Sequence, residues 1–248
     1  MDYLELAQIA EKVALAAGSL LLERPAILEV STKSSEVDVV TQMDRASEAL
    51  ITSMLAQLRP EDGLLGEEGA DVLSKSGVTW VIDPLDGTKE FINKNGEFTI
   101  NLALMFINKP IWGIVSAPFF NKTYYINSKN QVILKDNGKS RVLKPKSKFI
   151  DNELTAVVSR SHLDTKTKLK LQKNNITKII LSGSSLKFMM IVERKANIYY
   201  RLAPTMEWDT AASHAILKNL NYNIYKEDEN SEIEYNKKNL LNPNFISF

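Results

Sequence analysis

Two carboxylates three positions apart close an apolar run in Trp80-Val81-Ile82-Asp83-Pro84-Leu85-Asp86-Gly87-Thr88, and Gly-Thr follows at once. Val78 to Ile82 is a short apolar run of strand type, and Pro84 fixes the backbone just past its end. Asp83 and Asp86 can then point to the same side. Hard divalent ions such as Mg2+ prefer oxygen ligands, commonly one or two carboxylates with water and substrate phosphate completing the shell. The backbone N–H groups of Gly87 and Thr88 could supply the anion-binding start of a following helix. An ordinary Asp-Gly turn with a strand-capping aspartate would use the same residues, so other carboxylates must decide between the two readings.

Three further candidates occur in suggestive settings. Gly66-Glu67-Glu68-Gly69 follows Leu64 and Leu65, which places its acids at the end of another short strand. Asp209 follows Trp208 and reads as the first residue of a helix over the amphipathic run Thr210 to Leu217. Asp44, in Val39-Val40-Thr41-Gln42-Met43-Asp44, falls just inside a second helix. Each has a plainer alternative: Asp209 a helix cap, Asp44 a helix-dipole partner, Glu67 and Glu68 solvated loop acids.

In this order the pieces resemble the Mg2+-dependent, lithium-sensitive phosphomonoesterases of the inositol monophosphatase superfamily. The resemblance spans nearly the whole chain. It is carried by Lys33-Ser34-Ser35 with Asp38, Thr41 to Asp44, Gly66-Glu67-Glu68, Asp83 to Thr88, Ser182-Gly183-Ser184-Ser185 and Glu207-Trp208-Asp209. It implies that Glu67, Asp83, Asp86 and Asp209 ligate metal, with the Leu85 carbonyl adding one oxygen. It implies that Gly87 and Thr88 bind the scissile phosphate, and that Asp44 and Thr88 orient or deprotonate the attacking water, with Glu67 also in the catalytic set. It further implies Lys33, Ser184, Ser185 and Arg201 as substrate-facing positions. Two or three Mg2+ ions and inhibition by Li+ are expected on the same ground.

The residue inventory is compatible with that chemistry. Phosphoryl transfer needs charge neutralisation and an in-line nucleophile, and paired metals roughly 3.5–4 Å apart stabilise both the entering and the leaving oxygen. The chain has no Cys and only 2 His, which argues against a cysteinyl-phosphate or phosphohistidine route and leaves direct attack of water activated at the metal site. His214 lies among Ala211, Ala212 and Ile216 and reads as structural; His162, in Ser159-Arg160-Ser161-His162, could line the substrate site.

The second half of the chain narrows the ester. Lys89-Glu90-Phe91-Ile92, Asn95 to Asn101, Ser182 to Phe188 and Arg201 to Ala212 resemble the bacterial 3'(2'),5'-bisphosphate nucleotidase branch of the superfamily, which removes the 3'-phosphate of adenosine 3',5'-bisphosphate. Inositol monophosphatases commonly carry an acid near the position of Arg201, suited to sugar hydroxyls; a cation there suits a second phosphate. An inositol or sugar phosphatase is the nearer alternative, and a non-catalytic nucleotide binder the remoter one. Composition shifts close to the aspartate turn. Before Asn93 there is no Asn, and Lys occurs only at Lys12, Lys33, Lys75 and Lys89; afterwards Asn, Lys and Ile are frequent. Residues up to about Trp80 look more like an inositol monophosphatase, so the chain reads either as two parents joined in or near Val81 to Thr88 or as a nucleotidase with a divergent first lobe.

The remaining bounds are general. A chain of 248 residues with 44% hydrophobic residues can bury a sizeable core. A formal charge of +1 gives no field for nucleic acid or membrane, so the expected partner is a small phosphorylated substrate, the protein itself being monomer or homodimer. The opening Met1-Asp2-Tyr3-Leu4-Glu5-Leu6 does not fit a secretory signal, and no apolar run reaches the length of a membrane span. A cytoplasmic setting is expected, with peripheral association at the inner membrane as a variant.

Periodicity supplies the elements that must position the acids. Leu6, Ile9, Val13, Ala17 and Leu20 recur at helical spacing, as do Ala46, Leu50, Met54 and Leu58. Thr99 to Ile107, Ile111 to Ala117, Thr123 to Ile126 and Gln131 to Lys135 read as successive strands, with turns at Asn108-Lys109-Pro110 and Asn137-Gly138. Later strands fall at Leu154 to Val158, Ile176 to Leu181 and Ile198 to Arg201, with helices at Leu163 to Lys173 and Ser185 to Lys195. The expected fold is α/β (α+β), a layered αβαβα sandwich, in an N-terminal lobe over 1–145 with most of the metal ligands and a C-terminal α/β lobe over 146–248 with the last one. The site is expected in the cleft between them.

Overall fold

The computed structural model describes residues 3–32, 39–145, 154–161, 163–228 and 230–248. In chain order its elements are α1 (Tyr3–Leu22), β1 (Val30–Thr32), β2 (Val39–Thr41), α2 (Gln42–Leu58), β3 (Gly63–Gly66), β4 (Asp71–Val72), β5 (Val78–Asp86), α3 (Thr88–Ile92), β6 (Thr99–Phe106), β7 (Lys109–Ala117), β8 (Lys122–Ile126), β9 (Val132–Asp136), β10 (Lys139–Val142), β11 (Thr155–Ser159), α4 (Thr165–Lys173), β12 (Lys178–Ser182), α5 (Leu186–Val192), β13 (Ile198–Arg201), α6 (Ala211–Lys218), β14 (Ile224–Lys226) and β15 (Phe245–Ser247). Single 3-10 turns follow β7 and precede α6.

The larger sheet runs β10-β9-β8-β7-β6-β5-β3-β4, antiparallel except for the β3/β5 pair. The smaller runs β12-β11-β13-β15-β14, with β11 parallel to both neighbours. On β6 the pleat sends Ile100 towards α1, whose Gly18 packs on it, and sends Ala103 to the other face, opposite Gly113 of β7. A Cβ on Gly113 would sit 2.4 Å from the Ala212 carbonyl oxygen. Gly113 therefore lets α6 rest directly on the sheet backbone. In β11, Val157 joins the core shared with the larger sheet, while Ala156 and Val158 face α4 and cluster with Leu171, Ile198 and Tyr200. The layers are thus α1/α2, large sheet, α5/α6, small sheet and α4, the αβαβα sandwich the resemblance implied. β10 ends before the lobe boundary expected at 145 and β11 begins after it, yet Trp80, Val157, Phe188 and Phe245 belong to one buried cluster. Among the described residues no helix is long and apolar enough to cross a membrane.

Two details differ from the periodicity reading. The buried stripe of α2 is Met43, Ser47, Ile51 and Leu55, one position round from Ala46, Leu50, Met54 and Leu58. The apolar count overlooked polar residues that face inward because they hydrogen-bond to the site loops: Ser47 Oγ donates to the Pro84 carbonyl at 2.9 Å, and Glu48 receives two backbone N–H groups. The turn between β6 and β7 falls at Ile107-Asn108, with Ile107 at φ 58 and Lys109-Pro110 already in β7. The β9–β10 hairpin does turn at Asn137-Gly138, both at positive φ, as a two-residue Asn-Gly loop requires.

Candidate metal and phosphate site

β5 runs on through Asp86 rather than ending before Pro84, but its pairing with β6 shifts register between Asp83 and Asp86. That irregularity is what the site needs. In a regular strand, residues three apart face opposite sides; the bulge brings both carboxylates to one side, and it is a place where a proline without an N–H is tolerated. Asn101, opposite on β6, donates Nδ2 to Asp83 Oδ2 at 3.3 Å and to Asp86 Oδ2 at 3.4 Å. Ser185 Oγ in turn donates to Asn101 Oδ1 at 2.7 Å, which ties the start of α5 to the bulge.

Glu67 follows β3 directly, on a loop held by Glu48. The Glu48 carboxylate, only 5% exposed, accepts from Glu68 N at 2.8 Å and Ala70 N at 2.9 Å. Asp209 closes the 3-10 turn Glu207–Asp209, so it precedes α6 rather than beginning it, and its Oδ2 accepts the Met206 N–H at 2.7 Å. Carboxylate oxygens of Glu67, Asp83 and Asp209 all lie within 4.8 Å of one another. Asp83 is fully buried, and burial together with Glu67, Asp86 and Asp209 pushes its carboxyl well above the ordinary range. Burial, with Asp209 next, pushes Asp86 up to about 7. Such crowding is unfavourable unless a cation neutralises it. The donors are all carboxylate oxygens, without imidazole or thiolate, a set suited to a hard divalent cation.

Beside this cluster Gly87 adopts a left-handed conformation (φ 91) and opens α3. Thr88 Oγ1 donates to Asp44 Oδ1 at 2.8 Å. Asp44 Oδ2 accepts the Thr41 N–H at 2.8 Å and the Thr41 hydroxyl at 2.5 Å. Asp44 therefore completes the capping box that Thr41 begins and is a neighbour of the cleft at once, and its burial raises its pKa.

The cleft holds about 800 Å³ including its open mouth, and Glu67, Asp86, Gly87, Thr88, Ser184, Ser185, Arg201 and Asp209 line it. Asp83 and Leu85 lie buried beneath. Lys33 and His162 lie outside the described residues. His214 is 1% exposed, with Nδ1 2.9 Å from the Tyr235 hydroxyl and Nε2 2.6 Å from Asn223 Oδ1; burial pulls its pKa down to about 4, so it is a neutral, structural histidine. Sequence reasoning gave no role to Lys187, Asn101 or Glu48. Lys187 had a signal, a lone cation inside Leu186-Lys187-Phe188-Met189-Met190-Ile191-Val192. It is 6% exposed, donates Nζ to the Ser184 carbonyl at 2.6 Å and lies 5.5 Å from the Tyr199 ring centroid. Burial draws its pKa down to about 8, against the opposing pull of Asp86.

The two-sheet αβαβα sandwich is a fold shared with known phosphatases. The chain belongs to the inositol monophosphatase family, whose model matches residues 2–245 and so runs through the composition change near Val81 to Thr88. It is 34% identical over 232 residues, 89% of this chain and 92% of the relative, to the 3'(2'),5'-bisphosphate nucleotidase CysQ of Shigella flexneri. The CysQ of Buchnera aphidicola is 38% identical over 184 residues, 72% of this chain and 67% of the relative. The crystal structure of CysQ from Bacteroides thetaiotaomicron, a bacterial member of the same family, superposes with a TM-score of 0.79 at 31% identity, covering 99% of this chain and 97% of that one.

Proposed function

We propose that the chain is a Mg2+-dependent phosphomonoesterase that hydrolyses the 3'-phosphate of adenosine 3',5'-bisphosphate to AMP and phosphate. One observation carries the reading: three carboxylates converge within 4.8 Å, beside a turn that presents Gly87 and Thr88. Glu67, Asp83, Asp86 and Asp209, with the Leu85 carbonyl, would hold the cations. When bound, Mg2+ would neutralise phosphate charge and lower the pKa of coordinated water. The chain's own groups then divide the remaining work. Gly87 and Thr88 N–H groups would face the scissile phosphate, and the Thr88 hydroxyl, which donates to Asp44 Oδ1, would hold the attacking water and take up its proton while passing its own to the Asp44 carboxylate. Asn101 holds Asp83 and Asp86 to one side, and Glu48 holds the Glu67 loop. Ser184 and Ser185 line the same wall.

Lys187 and Arg201 favour a substrate with a second anionic group. Arg201 lines the cleft with its Nη2 donating to the Pro204 carbonyl at 2.9 Å, and its guanidinium places a fixed positive charge on that wall, suited to a phosphate. The similarity to CysQ relatives supports the same assignment. Lithium inhibition, a cytoplasmic setting and a monomeric or homodimeric state go with it. The test is phosphate release with Mg2+, comparing adenosine 3',5'-bisphosphate with inositol 1-phosphate and fructose 1,6-bisphosphate, with EDTA as control. A clear nucleotide preference abolished by EDTA is expected. Preference for inositol phosphate would reassign the substrate, and EDTA-resistant turnover would overturn the metal reading.

A further inference from the structure

We propose that Glu97, anchored by Arg160, is a positioning residue that sets the spacing between the two phosphate-facing turns of the cleft; this rests on the phosphatase reading above. The Asp86-Gly87-Thr88 turn comes from the large sheet and Ser182 to Ser185 from the small one, and no short stretch of chain joins them. Glu97 stands between. A Cβ on Gly87 would lie 3.0 Å from the Glu97 carbonyl oxygen and 3.2 Å from Ser184 Cβ, and one on Gly183 would lie 2.9 Å from that same carbonyl oxygen. The Glu97 carbonyl is therefore a spacer against which both glycines rest, with the Glu90 side chain also packed on Gly183, 2.5 Å from such a Cβ.

Its side chain fixes that spacer. Glu97 accepts both prongs of the Arg160 guanidinium, from Nε at 2.7 Å and Nη2 at 2.6 Å, and accepts the Gly183 N–H at 2.7 Å. Arg160 is tied to the same turn, donating Nη2 to the Leu181 carbonyl at 3.0 Å and its own N–H to the Ser182 carbonyl at 3.1 Å. On the other side, Asn95 Oδ1 accepts the Glu97 N–H at 2.9 Å, and Gly96, at φ +81, has the Phe119 ring against it. A parallel tie joins Ser161 Oγ to Glu90 Oε1 at 2.5 Å. The far end of α3 is held by Arg24, which donates to the Phe91 and Ile92 carbonyls and lies over the Phe91 ring.

Neither Glu97 nor Arg160 lines the cleft. The Arg160 side chain is 41% exposed, and ion pairs so accessible add little to global stability. What a bidentate pair supplies is direction, because the guanidinium fork and the carboxylate have one good relative orientation. Loss of that orientation would let the two turns drift apart, and displacement of a positioning group by about 1 Å can cost on the order of a hundredfold in rate.

The experiment compares Glu97→Gln, Arg160→Gln, Arg160→Lys and the double glutamine variant with the wild-type chain. It measures inorganic phosphate binding in Mg2+ by calorimetry, kcat and KM on adenosine 3',5'-bisphosphate, and melting temperature. Each single glutamine variant is expected to lose about tenfold or more in phosphate affinity and in kcat, with melting within about 3 °C of wild type. The double variant should be no worse than either single, and Arg160→Lys should fall between. Unchanged phosphate affinity in a folded variant, multiplicative losses in the double, or losses that simply follow melting temperature would overturn the proposal. Wild-type protein that binds phosphate but does not turn over the nucleotide would overturn the substrate reading alone, with phosphate affinity still deciding the role of Glu97.

Discussion

Glu207 and Asp209 share one turn of 3-10 helix, yet their carboxylates are in opposite situations. Glu207, 1% exposed, accepts the backbone N–H of Asn236 at 2.6 Å, that of Lys237 at 3.1 Å and the Lys237 ammonium at 2.5 Å. Its charge is matched within the protein, and it pins the 234–237 segment to the head of α6. Asp209 faces Glu67 and Asp83 and helps to raise the pKa of both Asp83 and Asp86. A buried charge that the fold itself neutralises is architecture; a group of like charges that the fold crowds together is held ready for something from outside. Glu48, satisfied by two amides, and His214, satisfied at both ring nitrogens, belong with Glu207.

Neutralising one member of the crowded set should separate function from stability most strongly. Asp86→Asn is expected to reduce Mg2+-dependent phosphate release about a thousandfold, since a metal ion contributes several kcal/mol of transition-state stabilisation and each 1.36 kcal/mol is about tenfold. In EDTA the same variant should melt above wild type, because it relieves repulsion. A lower melting temperature in EDTA would contradict the comparison. Glu207→Ala is expected to do the reverse, costing about 3 kcal/mol of folding stability in urea titrations while each folded molecule keeps its turnover.

Glu48→Gln tests the link between the two kinds of carboxylate. It keeps the shape but weakens the hold on the Glu67 loop, so calorimetry should show Mg2+ affinity lower by about ten- to a hundredfold, the range found when partners of metal ligands are altered. The pH dependence of His214 is smaller. Its pKa is about 4 in the folded chain against an ordinary value of 6.5, so the unfolded chain binds more protons between these values and stability falls as pH drops. From pH 7 to pH 5 the loss should be about 2 kcal/mol. His214→Gln should flatten that slope in urea titrations at the two pH values. Heating should give one unfolding transition that Mg2+ shifts upward, because a single buried cluster joins both sheets. Two transitions indifferent to Mg2+ would separate the regions on either side of Val81 to Thr88.

Much of the site was readable because its acids sit in short local patterns. Asp83, Asp86, Gly87 and Thr88 fall within six consecutive residues, and an apolar run ending in Asp-Pro-x-Asp-Gly-Thr limits how the backbone can proceed. Asp44 was placed near the start of α2, and Glu67 after a short strand, from neighbours within a few residues. The order of helices and strands followed from apolar spacing, and the Asn137-Gly138 hairpin from turn chemistry. The inward face of α2 differs from its apolar stripe for a physical reason. Ser47 and Glu48 count as polar in any periodicity, and only their partners, the Pro84 carbonyl and the Glu68 and Ala70 amides, make burial favourable. Those partners lie 20 or more residues away.

The sequence by itself determined the chemistry on offer: carboxylate oxygens with no thiol, a Gly-Thr turn directly after them, and a chain long enough to enclose them. Tertiary structure decided which of those groups meet. The register shift in β5 turned Asp83 and Asp86 to one side, the 3-10 turn before α6 brought Asp209 to Glu67 and Asp83, and α5 delivered Lys187 beneath Ser184. Local propensity fixes the direction of a residue relative to its own element. Convergence of side chains from different elements depends on how those elements pack, and no spacing along the chain encodes that distance.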